Sequence, residues 1–263
     1  MEVQSQSRVL AKSNFEKAYI KTVINNKFFE RDSYYQQQKS RYFNTLKQIH
    51  QLSMPNHPKI LEIGGGQIAL LSQKLFNYEC TVADVNETYK QSILDHHVKF
   101  QRCDILYDDL EQKNYYDLVV MCEVIEHMPV PPHIVLDKIK TWIKPGGWLF
   151  LTTPNLYRLR NLVRLALGLR VFDTFRIPEP GFSIGHPIEY SQIHLKWHFE
   201  TAGFESVNIR LQQLDNAGSS LATQLARMIA SPLLLRPLWR DKLVAVARKP
   251  GQEDSLNGLA KTC

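Results

Sequence analysis

Disulfide bridges, membrane spans and nucleic-acid-binding tails all lack support in this chain of 263 residues. Its four cysteines, Cys80, Cys103, Cys122 and Cys263, show no CxxC spacing. Neither a disulfide framework nor a zinc knuckle is expected, and without a secretory leader pattern the thiols should stay reduced, as in a cytoplasmic protein. No apolar run approaches the ~20 residues that a span needs. Lysine-rich runs, recognisable RNA-binding modules, internal repeats and low-complexity segments are missing too. The net charge of +6 is a modest surplus for this length. Nucleic acid is therefore the less favoured partner, since an acidic or lipid-linked substrate accounts for the charge equally well.

What remains is a chain able to bury a large core. Hydrophobic residues make up 44% of it, and apolar strand-like runs alternate with helical ones, which implies an α/β domain with a mainly parallel sheet. Its most informative stretch is KILEIGGG (59–66), an apolar strand carrying Glu62 that breaks into Gly64, Gly65 and Gly66 ahead of a helix-like run. Glycine tolerates positive φ and has no Cβ, so such a loop lets main chain approach a ligand. Asp84, twenty residues after Gly64 at the end of CTVADV, can accept both hydroxyls of a ribose. Loop and acid together point to a nucleoside-cofactor site. Spelled as Gly64-x-Gly66-x-x-Ala69 the loop satisfies a dinucleotide fingerprint, which keeps an NAD-dependent oxidoreductase as an alternative.

Spelled as Glu62-x-Gly64-x-Gly66, the same loop resembles motif I of the class I S-adenosylmethionine-dependent methyltransferases of the type 11/23 kind, with Ile68 in place of the usual third glycine. The resemblance extends over about residues 55–250. VKFQRCDI ends in Cys103-Asp104, YYDLVVMCEVIEHM is a fourth strand and loop, and KPGGWLFLTTPN a turn and fifth strand. ETAGFESVNIRLQQL and DKLVAVARKP read as a closing antiparallel pair. The resemblance implies a Rossmann-like, doubly wound sheet of seven mainly parallel strands with that pair at its end. It also implies S-adenosylmethionine as cofactor, held by Glu62, Gly64, Gly65, Gly66, Asp84 and Cys122, with Asp104 accepting the adenine amino group.

Three segments decorate this core. Residues 1–54 contain two aromatic-rich helical patterns that form a lid in similar proteins; Tyr34, Tyr35 and Arg41 can face the cofactor there, but a packed surface helix is the expectation. Within the variable segment 155–185, NLYRLRNLVRLALGLRVF reads as a basic amphipathic helix, with Leu159, Leu162, Val163 and Ala166 on one face and Arg160, Asn161 and Arg164 on the other. It is expected to cover the substrate cleft with its arginines in water, the other option being peripheral contact with an anionic membrane. Residues 215–240, with Leu233 to Leu235, Leu238 and Trp239, pose the same choice. The tail 251–263 is polar and expected to be disordered. Oligomeric state has no signal.

The chemical constellation is Glu123-Val124-Ile125-Glu126-His127, directly after the fourth strand. On a helical turn positions i, i+3 and i+4 share a face, so Glu123, Glu126 and His127 are expected to converge. Two carboxylates and an imidazole can hold Mg²⁺ or Mn²⁺, with His186 a possible fourth ligand. The motif resembles that of small-RNA 3′-terminal 2′-O-methyltransferases and of ubiquinone-pathway O-methyltransferases. Metal binding, a direct base role for His127 and a structural motif all stay open. The function expected is methylation of an oxygen on a small-molecule, glycan or lipid-linked acceptor, with RNA 2′-O-methylation as a further alternative. Ser191 and Gly203 should cap the helix between them.

Overall fold

Strands buried on both faces need continuous apolar runs, and four residues of the fourth strand, Leu118, Val119, Val120 and Met121, are all fully buried. The computed structural model describes residues 10–26, 32–174, 185–214 and 231–251. Five strands run parallel: β1 (Lys59–Ile63), β2 (Glu79–Asp84), β3 (Lys99–Arg102), β4 (Tyr116–Cys122) and β5 (Ile143–Pro154). β6 (Glu205–Gln212) and β7 (Lys242–Arg248) close the sheet, with β7 inserted antiparallel between β5 and β6. The order is β3-β2-β1-β4-β5-β7-β6, which gives the expected seven-stranded, mainly parallel sheet with an antiparallel pair at its end. It reverses between β1 and β4, which opens a crevice at the carboxyl ends of those two strands.

Helices cover both faces. On one, α1 (Lys12–Thr22), α2 (Asp32–His50), α3 (Gln67–Phe76) and α4 (Lys90–Leu94) share a core in which Phe15, Tyr19, Leu46 and Ile49 pack with Ile60, Leu70 and Val120. The N-terminal helices are thus built into this core. On the other face, α5 (Pro132–Trp142) and α7 (Gln192–Thr201) bury Val135, Leu136, Leu195 and Phe199. α7 is capped as expected: Ser191 Oγ accepts from the His194 amide at 3.3 Å, and Gly203, with φ +75°, lies just beyond the last turn. A short helix, α6 (Leu159–Ala166), follows β5. Parts of the two variable segments, 175–184 and 215–230, and the tail from 252 lie outside the described residues. No helix among the described residues is long and apolar enough to cross a membrane.

Candidate active site

The glycine loop lies at the crevice. Gly64, Gly65 and Gly66 all take positive φ (77°, 85° and 110°), so L side chains here would be strained. A Cβ on Gly64 would come within 2.8 Å of Val124 Cγ2, and one on Gly65 within 2.6 Å of Gln67 Oε1. Glu62 holds the loop from beneath. Its oxygens accept from the amides of Ile68 (3.3 Å) and Ala69 (2.6 Å), two donors of the first turn of α3. Burial raises the Glu62 pKa to about 7 against the pull of these backbone donors. Asp84 is engaged as well: Oδ2 accepts from Gly65 N (2.9 Å) and Tyr89 Oη (2.8 Å), and Oδ1 from Asn86 N (2.8 Å). A phenol hydroxyl therefore occupies an acid expected to face a ribose.

Above the loop is a cavity of about 190 Å³ lined by Gly64, Gly65, Gln67, Tyr89, Cys122 and Glu123, and by α2 through Tyr34, Tyr35 and Arg41. The expectation that α2 is merely a packed surface helix is thereby corrected: it supplies one wall, because Leu46 and Ile49, farther along the face that carries Tyr35 and Tyr42, anchor it to the core. Glu62 contributes to the lining, but its hydrogen bonds go to the loop. Asp104 does not line this cavity; its Oδ1 accepts from Leu106 N and shapes the turn after β3. Cys80, Cys103 and Cys122 are free thiols.

The Glu123–His127 segment departs from the helical turn expected of it. Glu123 has φ +58°, and only a short 3₁₀ turn, Ile125–His127, follows. Glu123 consequently swings away from the other two. Its Oε1 accepts from Thr152 Oγ1 (2.9 Å), its Oε2 from the buried Lys242 ammonium, and Arg41 lies 3.8 Å away. Burial alone would raise its pKa, but Lys242 and then Arg41 hold it well below the usual carboxylate range.

Glu126, His127 and His186 do come together, with one ligand atom from each within 4.8 Å of the others. Glu126 is fully buried; Oε2 accepts from Thr153 Oγ1 (3.0 Å), while Oε1 has no hydrogen-bond partner among the described residues. Burial, and then the charge of Glu123, pushes its pKa up. His127 Nδ1 donates to the Gly185 carbonyl at 2.6 Å, which leaves Nε2 to carry the lone pair. The two imidazole rings sit edge to face, 4.6 Å apart. Burial lowers the pKa of His127, and burial with the neighbouring His127 brings that of His186 down to about 4. Both rings are neutral at pH 7.

The segment before His186 is tied down by buried polar groups. Arg158 pairs with Glu189, Asn161 Nδ2 donates to Glu189 Oε2 (2.6 Å), and Arg158 Nε donates to Asn161 Oδ1 (3.2 Å). Asn161 is fully buried and Arg158 nearly so. This corrects the expected faces of α6: Asn161 points inward, while Val163 and Ala166 point out. The network dictates it, since none of these groups can leave without exposing another to the interior unpaired.

The methyltransferase domain family matches residues 32–209. The chain belongs to that family. A ubiquinone biosynthesis O-methyltransferase of Albidiferax ferrireducens is 28% identical over 129 residues, 43% of this chain and 51% of the relative. The chain spans about half or less of the length of the first curated relatives it matches. Among solved structures, a SAM-dependent methyltransferase from Archaeoglobus fulgidus superposes with a TM-score of 0.55 at 19% identity, over 81% of this chain and 94% of the other. A putative methyltransferase of Haloferax volcanii, solved in complex with the Trm112 methyltransferase activator, gives 0.60 at 14% identity, over 92% and 99%. These likenesses show the fold.

As a methyltransferase-fold protein the chain keeps the glycine loop, and the cavity beside it, with main chain, a guanidinium and tyrosines in its walls, suits a zwitterionic nucleoside such as S-adenosylmethionine. The family match and the antiparallel β7 set aside the dinucleotide reading. Sequence reasoning missed three contributors: Lys242, and the Thr152-Thr153 pair whose hydroxyls hold Glu123 and Glu126. The threonines gave a readable signal, polar donors at the carboxyl end of an otherwise apolar strand. Lys242 gave none, because a lysine opening a strand is ordinarily exposed.

Proposed function

We propose that this chain methylates an oxygen of a small-molecule, glycan or lipid-linked acceptor, with S-adenosylmethionine as donor. The observation that carries this reading is the pairing of the glycine-loop cavity with the neutral His127 and the unpartnered Glu126 Oε1 at the end of the neighbouring strand. When bound, the cofactor supplies an electrophilic methyl group on sulfonium. The chain's own part is to hold the loop open through Glu62, to meet the ribose with Asp84 once Tyr89 turns aside, and the adenine with Asp104. Arg41 suits the cofactor's carboxylate. His127 Nε2 is placed to accept the acceptor's hydroxyl proton, a role worth about 10² to 10⁴ in rate. Positioning the oxygen behind the reacting carbon can contribute about 7–11 kcal/mol more.

A second reading is favoured by the three-residue cluster itself. Glu126, His127 and His186 would hold Mg²⁺ or Mn²⁺, which would stabilise the alkoxide in place of a free base. A lipid-linked acceptor would also bring the chain to a membrane surface without crossing it.

The first test is calorimetry with S-adenosylmethionine, S-adenosylhomocysteine and NAD. The first two should bind and NAD should not. Gly64→Val should weaken cofactor binding by about 2–5 kcal/mol, because it adds a strained backbone to overpacking against Val124. Tight NAD binding, or full cofactor affinity in Gly64→Val, would overturn the assignment.

A further inference from the structure

The helix α6 turns its polar side inward. A surface helix ordinarily presents its apolar stripe to the core. Here Asn161 and Arg158 are the buried residues, while Val163, Leu165 and Leu167 are 50, 59 and 67% exposed. The arrangement is built rather than slack. Rolling the helix to bury those leucines would pull Arg158 and Asn161 off Glu189 and leave a buried carboxylate without its partners.

Exposed apolar residues recur beyond the helix. Leu169 is 49% exposed, and two 3₁₀ turns, Leu233–Leu235 and Pro237–Trp239, add Leu235 at 78%. Asn155 joins these turns to the start of the α6 segment by donating to the carbonyls of Leu238 and Arg240, both at 2.8 Å. Arg160, Arg170 and Arg236 are exposed in the same two stretches, and neither 156–172 nor 231–240 contains an aspartate or glutamate. Two stretches that are apolar and basic, with acids only just beyond their ends at Asp173 and Asp241, match an interface whose headgroups are negative and whose interior is hydrocarbon.

We propose that this face docks on an anionic phospholipid bilayer, leucines at the acyl boundary and arginines among the headgroups. The proposal deepens the lipid-linked acceptor reading and rests on it for its purpose. The stretch leaving α6 returns to the site, where the Asp173 amide donates to the His186 carbonyl (3.2 Å) and Asp173 Oδ2 accepts from the His186 amide (3.0 Å). Docking through α6 would therefore set the acceptor side of the site against the lipid.

Flotation of the full chain with vesicles tests this directly. Vesicles of phosphatidylcholine with phosphatidylglycerol should carry the protein up, and phosphatidylcholine alone should carry much less. Leu165→Asn with Leu167→Asn should reduce partitioning at least tenfold. Arg160→Gln with Arg170→Gln should reduce it about fivefold per arginine on anionic vesicles and leave neutral ones unaffected. All four positions are exposed, so melting midpoints should match the parent's. Cofactor affinity, measured by calorimetry on the same samples, separates the two failures: its loss in the parent would strike the methyltransferase reading, whereas failed flotation with intact cofactor binding strikes only the bilayer. Equal flotation of parent and both double variants would overturn the proposal. So would a lipid-free dimer in light scattering that the leucine substitutions dissolve, since the face would then belong to a second copy.

Discussion

The two sides of the site are made by different means. On the cofactor side, main chain does the work: three positive-φ glycines, with Glu62 accepting from the first-turn amides of α3 and Asp84 from the Gly65 amide, all within residues 62–84. Beyond it, side chains from distant segments meet: Arg158 with Glu189, His127 with Gly185 and His186, while Glu123, on the border of the cavity, pairs with Lys242. A backbone-built half is rigid by local geometry and tolerant of what surrounds it. A half assembled from buried charges depends on every partner being present, because an unpaired buried charge costs more than the pair contributes. Under the proposed function, the first would bind a constant cofactor and the second would vary with the acceptor.

If that division is right, the halves should fail separately, and His127→Ala should show it most strongly. Turnover should fall by about 10² to 10⁴ while cofactor affinity by calorimetry stays at the parent value. The turnover of the parent should rise with pH through a value below 6.5 and then level, because burial favours neutral His127. Chelation sharpens the result: if Glu126, His127 and His186 hold a metal, a chelator should abolish turnover and Mg²⁺ or Mn²⁺ restore it. A loss of cofactor binding in His127→Ala would break the division.

Stability should divide along the same line. Arg158→Ala leaves Glu189 buried opposite an empty volume and should cost about 3–5 kcal/mol in urea unfolding. Replacing both, as Arg158→Met with Glu189→Leu, should recover much of that loss, yet leave the His186 segment without its polar clamp and turnover low. Recovery of stability and turnover together would mean that the clamp is mere packing.

The same division explains what could be read in the sequence. The fold was legible because apolar strands, glycine turns and the caps Ser191 and Gly203 are local signals with local causes. The glycine loop was legible for the same reason. Lys242 and the inward turn of α6 were not, since both depend on partners far away in the chain: Glu123 lies 119 residues from Lys242, and Glu189 lies 31 from Arg158. The convergence of Glu126 with His127 followed from their adjacency, whereas Glu123, expected beside them, is turned aside by a left-handed backbone that periodicity does not reveal.

The smallest effect lies on the cofactor side and concerns the charge of Glu62. Its pKa in the folded protein is raised to about 7 from an ordinary 4.5 by burial, so between those values the folded state holds a proton that the unfolded chain releases. The stabilisation this gives is fully present below about pH 4.5 and lost as pH rises through 7. Glu62→Gln cannot ionise and still presents an oxygen to the Ala69 amide. Its stability relative to the parent should therefore improve across that window, with a slope of at most about 1.4 kcal/mol per pH unit, and stay constant outside it. Comparing variant and parent cancels Glu126, whose raised pKa acts in the same direction, and the histidines, which act in the other. A difference that does not change with pH would mean that Glu62 is charged throughout. The loop amides would then outweigh burial, and the cofactor side would depend on a buried charge just as the acceptor side does.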